Sequence, residues 1–253
     1  MGRAAIFIHG MFSRPDVWHR WVAAFESAGY ACNAVALPGH AAGDSDAALR
    51  GLGIADYAQA VTQTAARSEG PVLVGHSMGG LIAQMVATRV PVAAAVLVNG
   101  AAPAPVFPLR PVMLPGLLRH FSTWALWEKP FRLSEWEARY LLLDALTDGE
   151  REAVAAGLIA ESGRVAYEIG FGSLNWTKSN RVERAQVRCP MLELAGVRDR
   201  IVPIGVSRAM AAYYGPAMTY REYPGNAHWL LGEPHFEERI AEALSWLKPI
   251  APP

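Results

Sequence analysis

Six short apolar runs punctuate the chain, and between them the hydrophobic positions recur at helical spacing. Strands are predicted over residues 4–8, 31–36, 71–74, 93–98, 191–195 and 217–223. All but the last are apolar nearly throughout, with Asn33 and Glu193 as single interruptions, which suits strands covered on both faces, as in a parallel sheet. Stretches such as "WHRWVAAFESAG", "IADYAQAVTQTAARS" and "GLIAQMVATRV" read as the intervening helices, with Gly29 and Gly70 placed where helices end on glycine. This alternation predicts an α/β fold: a mostly parallel sheet of about six strands, joined by right-handed crossovers, with helices on both faces.

The alternation breaks once. About 90 residues separate "VLVNGAAP" from the next strand, "MLELAG", far more than one crossover helix needs. Pro103, Pro105, Pro108, Pro111 and Pro115 open the gap and forbid a continuous helix there. Ser134 with Glu137, and Thr147 with Glu150, then fit the S/T-x-x-E capping box. Trp124, Trp127, Trp136 and Trp176 also fall in this stretch. The chain therefore divides into a first core part (1–100), an inserted helical cap or lid (101–187) and a second core part (188–253). The apolar faces of the cap are expected to be buried against the sheet and a pocket.

Composition narrows the function classes. The 253 residues carry 23 basic and 23 acidic side chains, so no electrostatic footprint for nucleic acid or an anionic membrane is present. No apolar run approaches the roughly 18 to 20 residues that span a bilayer. "MGRAAIFIHG" enters a strand directly, with no signal-peptide h-region. Cys32 and Cys189 read as small core residues rather than a disulfide or metal site. The expectation is a cytoplasmic protein whose partner is a small-molecule substrate. No His/Cys/Asp cluster suggests a metal site, so no metal or organic cofactor is expected.

Candidate chemistry begins at "VLVGHSMGGLIAQ". Gly75-His76-Ser77-Met78-Gly79 is G-x-S-x-G after a strand and before a helix, the context of a nucleophile elbow. Such a turn projects the Ser77 hydroxyl at the carboxyl end of the sheet, where open α/β folds bind ligands. The following helix aims its free N–H groups at the same spot. A serine at its ordinary pKa needs a base, and the base needs an orienting carboxylate. His228, in the turn-rich "PGNAHWLLGEP" after the last strand, is the predicted base. Asp199, beyond "MLELAG", is the predicted orienter. Of the other histidines, His19 and His120 read as surface or packing residues and His235 as the first turn of the terminal helix. His76 should point away from the reaction centre, while His40 could border the pocket. The Met11 and Met78 backbone N–H groups are the predicted oxyanion donors. Candidates for substrate contact are His9, Gly10, Trp124, Trp127 and Trp229.

Together, "HGMFSRPDVW", "LPGHAAGDS", "GHSMGG", "GVRDRIVP" and "GNAHWLLGEP", in this order, resemble the α/β-hydrolase superfamily, in particular its serine-nucleophile, esterase/lipase-like members with a helical cap. The resemblance spans nearly all the chain outside the cap. It implies that fold, a Ser-His-Asp triad, an acyl-enzyme mechanism and a cap over the pocket. The implied substrate is a small-to-medium apolar carboxylic ester, a lactone or a thioester. It also leaves open C–C bond hydrolysis, hydroxynitrile cleavage, perhydrolysis, cofactor-free oxygenation and a non-catalytic ligand receptor. Two departures stand out. The chain begins at the strand carrying His9-Gly10, so the family's first two antiparallel strands are expected to be absent. Serine rather than aspartate at position 77 argues against dehalogenase and epoxide hydrolase chemistry.

Overall fold

Why the sheet forms is visible in its side-chain alternation. A computed structural model describes residues 2–172 and 178–253. In it β1 (Ala4–Ile8) sends Ile6 and Ile8 to one face and Ala5 and Phe7 to the other, and both faces are buried. Next come α1 (His19–Ser27), β2 (Ala31–Val35), α2 (Ile54–Ala65), β3 (Val72–His76), α3 (Met78–Ala87) and β4 (Ala94–Val98). After a long excursion the chain returns as β7 (Met191–Gly196), α8 (Ile204–Tyr214), β8 (Met218–Tyr223) and α9 (Phe236–Leu247). The six strands are all parallel, in the order β2-β1-β3-β4-β7-β8. Residues of α2, α3 and α8 pack on one face, and residues of α1 and α9 on the other.

The strand order decides where a site can lie. From β1 the chain goes outward to β2, then returns past β1 to β3. The loops leaving β1 and β3 therefore diverge, opening a crevice at their carboxyl ends.

Three local expectations need correction. Strand β2 is half-open on both faces rather than covered, because it is an edge strand. Strand β3 runs on to His76, since pairing with β4 continues through Gly75 and His76. Gly29, at φ 99°, follows the Ala28 C-cap of α1, but Gly70, at φ 53°, lies well past the Ala66 C-cap of α2. It shapes the turn into β3.

Between β4 and β7 lie α4 (Leu114–Phe121), β5 (Pro130–Phe131), α5 (Glu135–Leu141), α6 (Asp148–Gly157), β6 (Glu161–Ser162) and α7 (Gly163–Gly170), with β5 and β6 antiparallel. The Ser134 capping box forms: its Oγ accepts from Glu137 N (3.3 Å) and Glu137 Oε2 accepts from Ser134 N (2.7 Å). Thr147 forms no such box; its hydroxyl donates to Glu150 Oε2 (2.8 Å), leaving the first amides of α6 uncapped by side chains. Nor are the tryptophans the buried face of this segment. Trp124 is 85% exposed and Trp136 55%; Trp136 stacks on Tyr140 instead. Leu141, Leu142, Leu143 and Leu146 supply the apolar packing against the sheet side. Trp176 lies outside the described residues.

A buried ionic network fastens this segment to the sheet domain. His40 Nδ1 faces the Pro38 carbonyl (3.0 Å) and Nε2 faces Glu161 Oε2 (3.1 Å), so both nitrogens must donate. The ring is thus an imidazolium, and the Glu161 carboxylate raises its pKa against the opposing effect of burial. Tyr57 OH (2.8 Å) and Ser162 N (2.6 Å) satisfy the other Glu161 oxygen. Nearby His9, 4.9 Å from His40 ring to ring, is pushed down to about 3 by burial and by that charge.

Removing one partner would strand the other charge in the interior. Glu161→Ala is expected to destabilise by roughly 3–5 kcal/mol in denaturant unfolding. Because the folded pKa of His40 is raised, its contribution is complete below the ordinary value of 6.5 and fades as pH rises through the raised value. Wild-type Tm should therefore fall across that alkaline side more than the Tm of His40→Gln; parallel profiles would refute the assignment.

Candidate active site

Ser77 sits at the carboxyl end of β3, at the N-cap of α3, with φ 53° and ψ −120°. A non-glycine residue in that region carries strain on the order of 1–3 kcal/mol, held only by its surroundings. Here Ser77 N donates to Val98 O (3.0 Å), while Ser77 O accepts from Gly80 N (2.9 Å) and Ala101 N (2.8 Å). Glycine is required on both sides of the turn. A Cβ at Gly75 would lie 2.3 Å from Gly79 O, and one at Gly79 would lie 2.0 Å from Ile8 O. The Ser77 hydroxyl has no hydrogen-bond partner among the described residues and belongs to the wall of a cavity.

Asp199 and His228 meet next to that cavity, both buried, with Asp199 Oδ2 accepting from His228 Nδ1 at 2.6 Å. The other Asp199 oxygen accepts from the amides of Ile201 and Val202, each at 2.8 Å, which fixes the carboxylate plane. With Nδ1 committed, His228 Nε2 is left without a partner among the described residues, and His228 shares the cavity wall with Ser77.

Three further residues hold the His228 loop, and the sequence reading assigned none of them this work. Asn99 Nδ2 donates to the carbonyls of Ala227 and His228 (2.8 Å each), and its Oδ1 accepts from Gly196 N (2.7 Å). His76 Nε2 donates to the same His228 carbonyl (3.0 Å), so its ring supports the loop from below the elbow. Buried Glu233 accepts from the amides on either side, Ala227 (2.7 Å) and Trp229 (2.8 Å); burial raises its pKa. The roles of Asn99 and His76 depend on strands and loops distant in sequence, whereas Glu233 acts within its own loop, four and six residues from the amides it accepts.

The cavity holds about 300 Å³. Met11 and Met78 both line it, and their amides donate to no acceptor among the described residues. Trp127 and Trp229 line it too, whereas Trp124 does not. His9 is enclosed away from it, its Nδ1 against Gly10 O (2.9 Å) and its Nε2 accepting from Leu37 N (3.4 Å). Gly10 is not a lining residue. It allows close approach, since a Cβ there would fall 3.0 Å from both His76 Nδ1 and Ser77 Cβ. His40 is fully occupied in the ionic network. His120, read from the sequence as a surface or packing residue, is buried and lines the cavity. His235 is exposed at the N-cap of α9, paired with Glu238. Among the described residues, no Asp, Glu, Lys or Arg lines the cavity.

Both cysteines are free. Among the described residues no group of His, Cys, Asp or Glu is arranged to hold a metal ion, and no helix is long and apolar enough to cross a membrane.

Comparison with known proteins agrees with this architecture. The chain is 38% identical over 109 residues to the probable esterase PIR7A of Oryza sativa subsp. indica, a match covering 41% of each chain. A pyrethroid hydrolase of Sphingobium wenxiniae is 27% identical over 252 residues, covering 95% of this chain and 85% of that one. The crystal structure of tomato methylketone synthase I complexed with 2-tridecanone superposes with a TM-score of 0.77, over 99% of each chain at 14% identity, which is a likeness of fold. The family model described as the alpha/beta hydrolase family matches residues 5–243. A six-stranded parallel sheet, a serine on a strained strand–helix turn and a match along almost the whole chain agree: the protein belongs to the alpha/beta hydrolase family.

Proposed function

We propose that the protein is a serine esterase acting on apolar, uncharged carboxylic esters. The observation that carries this reading is the meeting, at one uncharged cavity, of the strained Ser77 and the buried Asp199–His228 pair. Relatives named as esterases and a pyrethroid hydrolase support an ester as the substrate. His228 Nε2 takes the Ser77 proton as the hydroxyl attacks the ester carbonyl. The Met11 and Met78 amides hold the resulting oxyanion. The alcohol leaves with a proton from His228, and water repeats the sequence on the acyl-enzyme. Asp199 keeps the imidazole in the tautomer with hydrogen on Nδ1 and stabilises its charged form. Residues 101–187 act as a cap whose helices complete the cavity wall.

A serine-directed fluorophosphonate, followed by p-nitrophenyl esters of increasing acyl length, tests the reading. Labelling of Ser77 with turnover of at least some esters is expected. With apolar walls, each buried methylene contributes up to about 0.8 kcal/mol. The ratio kcat/KM should climb over the first few acyl carbons and drop once the cavity is full. A flat profile, or a preference for charged acyl groups, would overturn the proposed selectivity.

A further inference from the structure

His120 is the cavity residue that the proposed reaction leaves without work. It lies on α4, in the wall contributed by the segment between β4 and β7, and is only 7% exposed. Its Nε2 stands 3.3 Å from Glu137 Oε2 on α5. Its Nδ1 has no hydrogen-bond partner among the described residues.

The tautomer follows from the neighbours. Glu137 accepts from Arg119 Nε (2.9 Å) and Nη2 (2.6 Å) and from Ser134 N (2.7 Å). Chiefly through Arg119, its pKa is held down to about 2, so it is a carboxylate and can only accept. The His120 nitrogen facing it must therefore carry hydrogen. Burial keeps the ring below the ordinary imidazole range, hence neutral near pH 7. A neutral ring with hydrogen on Nε2 has a bare lone pair on Nδ1. Turning the ring over would put Cε1 in the place of Nε2 and forfeit the hydrogen bond to the carboxylate, and Phe131 packs edge-on at 4.8 Å beside it. Thr123, another polar lining residue, already donates its hydroxyl to Arg119 O (3.0 Å). Thr123 and Tyr167, the hydroxyl-bearing residues of this wall, are both exposed, so among the described residues His120 Nδ1 is the acceptor that a buried, held side chain offers there.

We infer that His120 is a specificity-determining residue whose Nδ1 accepts a hydrogen bond from a hydroxyl or N–H group on the apolar part of the substrate. This deepens the ester-hydrolase reading and rests on it. The preferred substrate class is an uncharged ester carrying a donor at a fixed distance from the scissile carbonyl. A neutral hydrogen bond of this kind discriminates by about ten-fold.

The test uses p-nitrophenyl esters whose acyl chains end in a hydroxyl or in its methyl ether, graded in length. In the wild type, the hydroxyl-to-ether ratio of kcat/KM should peak by about ten-fold at one chain length. His120→Phe should erase the peak, and His120→Asn, which puts an oxygen near the place of Nδ1, should keep part of it. Each ratio is taken within one protein, so a general loss of activity cancels; His120→Leu gives the same readout if the phenylalanine variant does not fold. A ratio profile equal in wild type and His120→Phe, or no peak at any length, overturns the inference. If no ester is turned over, the hydrolase reading fails by itself. Tryptophan-fluorescence titration with ω-hydroxy and ω-methoxy alkyl methyl ketones then reads the same ratio as binding. Loss of hydroxyl preference in His120→Phe sustains the inference, and equal preference overturns it.

Discussion

Ser77→Ala is expected to lower kcat by a factor on the order of 10³ to 10⁶ while Tm stays unchanged, by comparison with enzymes whose nucleophile, base and orienter act as a unit. Stability should hold because the lost oxygen makes no hydrogen bond in the described structure, and alanine inherits the same backbone strain that serine bears at φ 53°. The backbone bonds that impose the turn, to Val98, Gly80 and Ala101, do not involve the side chain. Fluorophosphonate should modify Ser77 alone. Modification of Ser13 or Ser45 in its place, with Ser77→Ala still active, would remove Ser77 from the mechanism.

Asp199→Asn should cost about 10⁴ in kcat, and the structure supplies the reason. Asp199 Oδ1 accepts two backbone amides, from Ile201 and Val202. An asparagine must turn its oxygen toward those donors, which leaves its NH₂ facing His228 Nδ1. The imidazole then carries hydrogen on Nε2 and cannot accept the Ser77 proton. His228→Ala should be as damaging as Ser77→Ala, and the double variant little worse, because the residues act as a unit. Steady-state and single-turnover kinetics on one good ester separate the cases. If His235→Ala abolished activity and His228→Ala did not, the base would have to be sought at the N-terminus of α9.

Much of this site was legible because its elements are local. The elbow needs small residues within two positions of Ser77, and Gly75 and Gly79 stand there. Asp199 follows a strand readable as a mostly apolar run, and His228 follows the more polar last strand in a turn-rich stretch. Their pairing across 29 positions was an inference from chain order, and the 2.6 Å contact depends on the adjacent β7 and β8 placing both loops at one end of the sheet. The larger failures were those decided by exposure; the others were local details of an element end or cap, at β3, Gly70 and Thr147. A mostly apolar run suggested a covered β2, which lies at an edge, and the tryptophans suggested a packed cap, yet Trp124 and Trp136 face outward.

The amino-acid sequence by itself determined the alternation of strands and helices, the glycine-flanked serine turn and the order of the candidate catalytic groups. Those are set by side-chain periodicity and by steric demands within a few residues. Only the tertiary structure decided which polar side chains are buried and with whom. The Asn99 and His76 hold on the His228 loop, the His40–Glu161 ion pair and the His120–Glu137 contact between two helices all join residues well separated in the chain. A buried polar group must find a partner once water is removed. Which partner it finds is fixed by packing, and packing has no counterpart in local sequence.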